Sequence, residues 1–217
     1  MKLGFGGGLL LSAALLFGAD DVAAQRREGG NSMIERAHAS RQKGPQNAPV
    51  VVIEIADFQC PYCARFAQDV YPRIDSAYVK TGKVGWLFVN LPLPSHNHAW
   101  VAAEAAMCAG AVGNRFWPVH DRIFAAQASW ARAADPAPTF RRFAEEAGVP
   151  MADYDACVAG DQVAGLLLQD LMWAFPRVNG TPAFIIANDQ QVAGMKTFAE
   201  WRGMLDAALM KAAAKQD

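Results

Sequence analysis

The sequence predicts an α/β protein in which a strand–helix–strand unit, a block of helices and a strand–strand–helix unit follow one another. Three observations carry this. Val50-Val51-Val52-Ile53-Glu54-Ile55 is β-branched and almost unbroken, the pattern of a buried strand. A helical pattern follows to about Lys80, then a second strand pattern over Val84–Leu91, which makes a βαβ unit with parallel strands. After a long helical stretch, strand character returns at Ala183-Phe184-Ile185-Ile186 and Gln190-Gln191-Val192 around an Asn188-Asp189 turn, a hairpin.

Taken in order, residues 1–24 read as a secretory signal: Lys2 at the positive end, an uncharged run from Leu3 to Phe17, and small residues at Val22-Ala23-Ala24, with cleavage near Ala24. A retained anchor is the alternative. It is disfavoured because a span needs about 20 apolar residues and Asp20 and Asp21 end this run early. Residues 25–49 read as a flexible polar lead-in with a short helix near Met33–His38. In the first long helix, Phe66, Val70, Ile74 and Ala77 fall at helical spacing, Pro72 should kink it and Gly82 can end it. The insertion, about 96–175, divides into helices over Ala99–Ala109, Arg115–Ala126, Thr139–Ala147, Ala152–Ala159 and Val163–Trp173. The last helix starts with the capping box Thr197-x-x-Glu200 and buries Trp201, Leu205 and Leu209. The domain so predicted spans 50–212, its two flanking halves forming one mixed sheet.

With 217 residues, 53% of them hydrophobic, the chain can build a core and is not disordered. Its 20 basic and 21 acidic residues nearly cancel, so no electrostatic argument points to nucleic acid as a partner.

The chemistry lies in cysteine. Cys60-Pro61-Tyr62-Cys63 follows a buried strand and opens a helix, the placement of a redox pair. Unpaired N–H groups and the positive dipole end of a helix stabilise a thiolate there, and Pro61 suits the first helical position. Cys60 is then the exposed, acidic nucleophile and Cys63, one turn on, the buried resolving thiol. A zinc half-site lacks a second pair of ligands at sensible spacing, so no metal is expected; an inert bridge is the other alternative. Glu54, on the strand entering the motif, is either a buried acid that moves protons for Cys63 or an edge residue reaching solvent. Pro182 in Gly180-Thr181-Pro182 is either a cis residue that turns the Thr181 backbone toward an extended substrate or an ordinary strand start. Cys108 and Cys157 suit a structural disulfide in an exported chain, with two buried thiols or a second redox pair as alternatives. His96 and His98 read as satisfied loop histidines.

The run Ala48-Pro49-Val50-x-x-x-Glu54-x-x-Asp57-Phe58-x-Cys60-Pro61-Tyr62-Cys63 resembles the DsbA-like thioredoxin-fold thiol:disulfide interchange proteins. Gly180-Thr181-Pro182-Ala183-Phe184-Ile185-Ile186 is similar to that family's cis-proline segment. Pro92-Leu93-x-x-His96-x-x-Ala99, Cys108 and Phe116-Trp117-x-x-His120-Asp121 resemble the start of its helical insertion. The resemblance covers about 44–210. It implies a thioredoxin fold with a helical insertion between the βαβ and ββα halves. It also implies Cys60 as nucleophile, Cys63 as resolving thiol, Glu54 as buried acid, and Pro182 with Thr181, Pro61 and Tyr62 as the surface facing substrate. Cys108 and Cys157 match a second disulfide carried by some members. The implied protein is a periplasmic or otherwise exported oxidoreductase that acts on cysteine-containing exported proteins, needs no cofactor, and is reoxidised by a membrane partner of the DsbB type. Tyr62 and Thr181 depart from the best-known oxidases, which carry His and Val there, and look more like DsbG-type isomerases and reductases, kept reduced by a membrane donor. Those carry an N-terminal dimerisation domain, for which Gln25–Pro49 is too short. A chaperone-like binding module is the reading from another class.

Overall fold

The computed structural model describes residues 32–215; the signal segment and its cleavage site lie outside them. A five-stranded sheet forms the centre: β1 (Gln42–Lys43), β2 (Val50–Ala56), β3 (Val84–Asn90), β4 (Ala183–Ile186) and β5 (Gln190–Ala193), in the order β1-β3-β2-β4-β5. β2 and β3 are parallel, and the other pairings are antiparallel. The central position of β2 explains its β-branched run, since both of its faces are covered. The same register sets Glu54 between Phe88 and Phe184.

α2 connects β2 to β3. It starts as Pro61–Arg65, widens to a π-helix over Phe66–Val70, makes an α turn at Tyr71–Ile74 and widens again over Asp75–Val79. Pro72 has no N–H to give the preceding turn, and the ladder absorbs this by expansion: the Tyr71 N–H reaches back to Phe66 O. Phe66, Tyr71 and Ile74 remain buried on the sheet, where Phe66 packs with Trp86, Phe184 and Trp201.

The insertion comprises α3 (Ala99–Gly113), α4 (Phe116–Ala125), α5 (Gln127–Trp130), α6 (Ala137–Glu146), α7 (Met151–Ala159) and α8 (Ala164–Ala174). α3 is alanine-rich and buried through most of its length because helices pack on it from several sides. Cys108 on α3 is bonded to Cys157 on α7, closing a separation of 49 residues. In the chain-entropy model such a loop stabilises by about 4 kcal/mol. α8 covers the second face of the sheet, where Ala174 meets Ile55, Val89, Leu91 and Ile185. α9 (Phe198–Ala213) closes the fold behind its Thr197–Glu200 capping box and buries Trp201 and Leu205.

The short helix expected near Met33–His38 is present, but the segment that follows it is anchored to the fold. Residues 32–40 form α1, and β1 follows directly. The cause is tertiary. Arg41 is 2% exposed and ion-paired with Asp170 of α8, whose carboxylate also accepts from Asn90 N at 3.0 Å and Asn90 Nδ2 at 2.9 Å. α1 lies so close to α3 that a Cβ on Gly110 would stand 2.1 Å from Ser40 Oγ. Among the described residues, no helix is long and apolar enough to cross a membrane.

Candidate active site

β2 ends at Ala56, and α2 begins at Pro61 after four intervening residues. The turn between them is closed by Cys60 N–H donating to Asp57 O at 3.1 Å. Cys60 is the N-cap residue, with extended backbone (φ −71, ψ 121), and Pro61 opens the helix. The Cys60 carbonyl accepts the first helical bond, from Ala64 N, and a second from Gln127 Nε2 at 3.0 Å. Gln127 also donates to Phe58 O at 2.7 Å, so α5 holds the turn from the insertion side.

Both motif cysteines are thiols here. Cys63 is fully buried and Cys60 is 5% exposed. Cys60 is therefore less open than a freely exposed nucleophile, because the Thr181–Pro182 loop lies over it. The Thr181–Pro182 peptide bond is cis, and the Cys60 thiol donates to the Thr181 carbonyl at 3.3 Å. The Thr181 hydroxyl is buried beside the two sulfurs. Beyond this loop a cavity of about 380 Å³ runs from Arg177 to Phe184 and along Gln191–Gly194 of the edge strand. Tyr62 stands 54% exposed at the rim, its ring 4.7 Å from the Arg65 guanidinium.

The two thiols are electrostatically unlike. Cys60 is held down to about 6, chiefly by a hydrogen bond from the Cys63 thiol and, against the cost of burial, by the Thr181 side chain and the Cys63 and Tyr62 backbone N–H groups. Cys63 is pushed well above the ordinary thiol value, first by burial and then by the anion it would face at Cys60. Sequence reasoning supplies the helix N–H groups. It does not supply the neighbouring thiol as the main donor, because that depends on the rotamers of both side chains.

Glu54 is 1% exposed. Its Oε2 accepts from Trp86 Nε1 at 2.8 Å, and Oε1 has no hydrogen-bond partner among the described residues. Burial pushes its carboxyl up to about 8, the Trp86 bond only partly opposing this. No hydrogen bond joins Glu54 to either motif cysteine among the described residues. Asp57 and Gln127 hold the site and carry no role in the sequence reading; Asp57 was visible only as a motif letter, and nothing around Gln127 marks it. His98 is satisfied, its Nε2 bonded to Ala133 O at 2.9 Å. His96 bonds Asp57, with Nδ1 2.7 Å from Oδ2. Cys108 and Cys157 lie away from this site, within the insertion.

A family model described as thioredoxin matches residues 37–207. The chain belongs to the thioredoxin family. A relative of this thioredoxin-family chain, Na(+)/H(+) antiporter NhaA 3 of Salinispora tropica, is 36% identical over 146 residues, which is 66% of this chain and 21% of that protein. A probable disulfide bond formation protein D of Bacillus cereus is 30% identical over 122 residues, 54% of this chain and 56% of that one. The chain thus spans about a fifth of the first relative and just over half of the second. The crystal structure of Wolbachia pipientis alpha-DsbA1 superposes with a TM-score of 0.72 at 22% identity, over 82% of this chain and 94% of that chain. That likeness shows the fold: a thioredoxin core interrupted by helices.

Proposed function

We propose that the protein is an exported thiol–disulfide oxidoreductase that introduces disulfides into secreted or envelope proteins through Cys60 and Cys63. The observation that carries this reading is the unequal pair at the head of α2, with Cys60 near 6 and Cys63 far above it. A thiol that ionises so readily is a good leaving group, which drives electrons from client to protein.

In the oxidised protein a client thiolate attacks Cys60 Sγ. The Cys60–Cys63 bond breaks, a client–Cys60 disulfide forms, and Cys63 leaves as a thiolate that takes up a proton. A second client thiolate attacks the client sulfur and expels the Cys60 thiolate. The client gains a disulfide, and the protein carries away two electrons as a dithiol. Glu54 is the proton-exchanging acid nearest in character to this task, poised at about 8 in the interior. The Thr181 backbone beside Pro182, with Pro61 and Tyr62, forms the surface that receives the client as an extended segment. The signal-like segment 1–24 supports export to the periplasm or beyond. The family resemblance supports a membrane partner of the DsbB type for reoxidation. The name of the Bacillus cereus relative, a disulfide bond formation protein, agrees with this direction.

The test is refolding of a reduced client by the oxidised protein in stoichiometric amounts. Disulfides should form faster than in buffer, and Cys60→Ser should abolish the gain. No acceleration by wild type contradicts the reading. Acceleration retained by Cys60→Ser favours a chaperone-like binding module, and reduction of the client by the dithiol form favours the DsbG-type reductase.

A further inference from the structure

We propose that Asp57 is a positioning residue for this thiol exchange, its carboxylate clamping the turn that presents Cys60 to the loop that follows β3. The inference rests on the exchange chemistry proposed above. It stands on the hydrogen bonds of the Asp57 carboxylate, none of which involves either thiol. The Asp57 side chain is fully buried, yet it meets three donors. Oδ1 accepts from Gln59 N at 2.7 Å, and Oδ2 accepts from Leu93 N at 2.8 Å and from His96 Nδ1 at 2.7 Å. The carbonyl of the same residue accepts from Cys60 N at 3.1 Å. Asp57 therefore builds the turn twice, by side chain to the second residue on and by main chain to the third.

The choice of an ion is informative. An uncharged Asn at this position can make the side-chain turn to Gln59 without the cost of burying a charge. What Asn cannot do is accept from both Leu93 and His96 on its other atom, since that atom becomes an NH₂ donor. The carboxylate is thus required on the side that faces the 93–96 loop, not on the side that makes the turn. Gln59 continues the clamp: its Oε1 accepts from His98 N at 2.7 Å and its Nε2 donates to Ala131 O at 3.2 Å. His96 is partly open to water and can be altered with little loss of core.

The clamp fixes Cys60 at the N-cap, where the Cys63 thiol, the Thr181 side chain and the Tyr62 and Cys63 N–H groups converge on its sulfur. Charge and position act in opposite directions, which makes the inference testable by sign. If Asp57 acts only as a nearby negative charge, Asp57→Asn makes the Cys60 thiolate easier to form. If it acts by position, Asp57→Asn makes the thiolate harder to form, because the turn loosens.

The experiment follows Cys60 alkylation against pH, and client oxidation, in wild type, Asp57→Asn, His96→Ala and His96→Asn, with thermal unfolding measured on each. Asp57→Asn should raise the midpoint of Cys60 alkylation by about one unit and slow client oxidation about tenfold. His96→Ala should shift both in the same direction, and His96→Asn, which keeps a donor near the Nδ1 position, should restore them toward wild type. A lowered or unchanged midpoint in Asp57→Asn with an unchanged rate overturns the inference. If Asp57→Asn does not fold, the His96 pair decides: equal behaviour of His96→Ala and wild type overturns it. Absence of exchange in wild type itself sinks the functional reading instead.

Discussion

Glu54 is held out of water with one hydrogen bond to satisfy it, and the molecule bears the cost at neutral pH. Its carboxyl stands near 8 in the fold against 4.5 in the open chain, so the folded state binds the proton more tightly. The stability this lends is complete below pH 4.5 and is lost as pH rises through 8. Glu54→Gln keeps an acceptor for the Trp86 N–H and removes the titration. The variant should lack the decline that wild type shows between these values and be more stable at pH 8, by on the order of 4 kcal/mol as an upper bound. Denaturant unfolding of both proteins at pH 5 and pH 8 checks this; parallel stabilities would show that Glu54 does not titrate inside the fold. At this scale the sequence makes Glu54 visible as an oddity in an apolar strand. It does not choose between interior and edge, because that depends on β2 lying between β3 and β4.

The elements read well where local chemistry decides them. Gly82, Gly148 and Gly160 mark helix ends, the Asn188-Asp189 turn marks the hairpin, and the Thr197–Glu200 box marks the last helix, because each is a backbone demand met within a few residues. The helix near Met33–His38 is legible, but β1 and the anchoring of this segment are not, because distant groups decide them. Arg41 finds Asp170, 129 residues further on, and a polar segment with such an anchor looks the same in sequence as one without it. Arg41→Ala leaves the Asp170 carboxylate buried without a cation and should cost about 3–5 kcal/mol. Replacing both residues should cost less than the sum of the two single changes, because the unpaired charge then disappears. A double-mutant cycle in denaturant measures the coupling, and strict additivity would mean that the pair does not anchor the N-terminal segment. The Pro72 region shows a milder failure of the same kind. The missing N–H is legible, but the π widening that accommodates it depends on packing against the sheet.

In the whole molecule, the site is where three separate parts of the chain meet: the β2–α2 junction with its two thiols, the insertion through Gln127 and the loop after β3, and the Thr181–Pro182 loop of the second half. The helical block is thus more than an ornament on the thioredoxin core, since it holds the turn that carries Cys60. The motif made the pair legible; the proton balance between the two sulfurs was not, because it is set by groups brought together only on folding. That balance links chemistry to stability. In the dithiol form the Cys60 value is depressed from 9.0 to about 6, so the stabilisation it gives is complete above pH 9 and is lost as pH falls through 6. The disulfide form has no such contribution, so near neutral pH the ionised Cys60 favours the dithiol over the disulfide. Direct titration of the reduced protein, following thiolate absorbance in wild type and in Cys60→Ser, tests this. Wild type should show one thiolate forming with a midpoint near 6, absent from Cys60→Ser, while Cys63 stays protonated to well above 9. A first midpoint near 9, or a first thiolate that persists in Cys60→Ser, would contradict it.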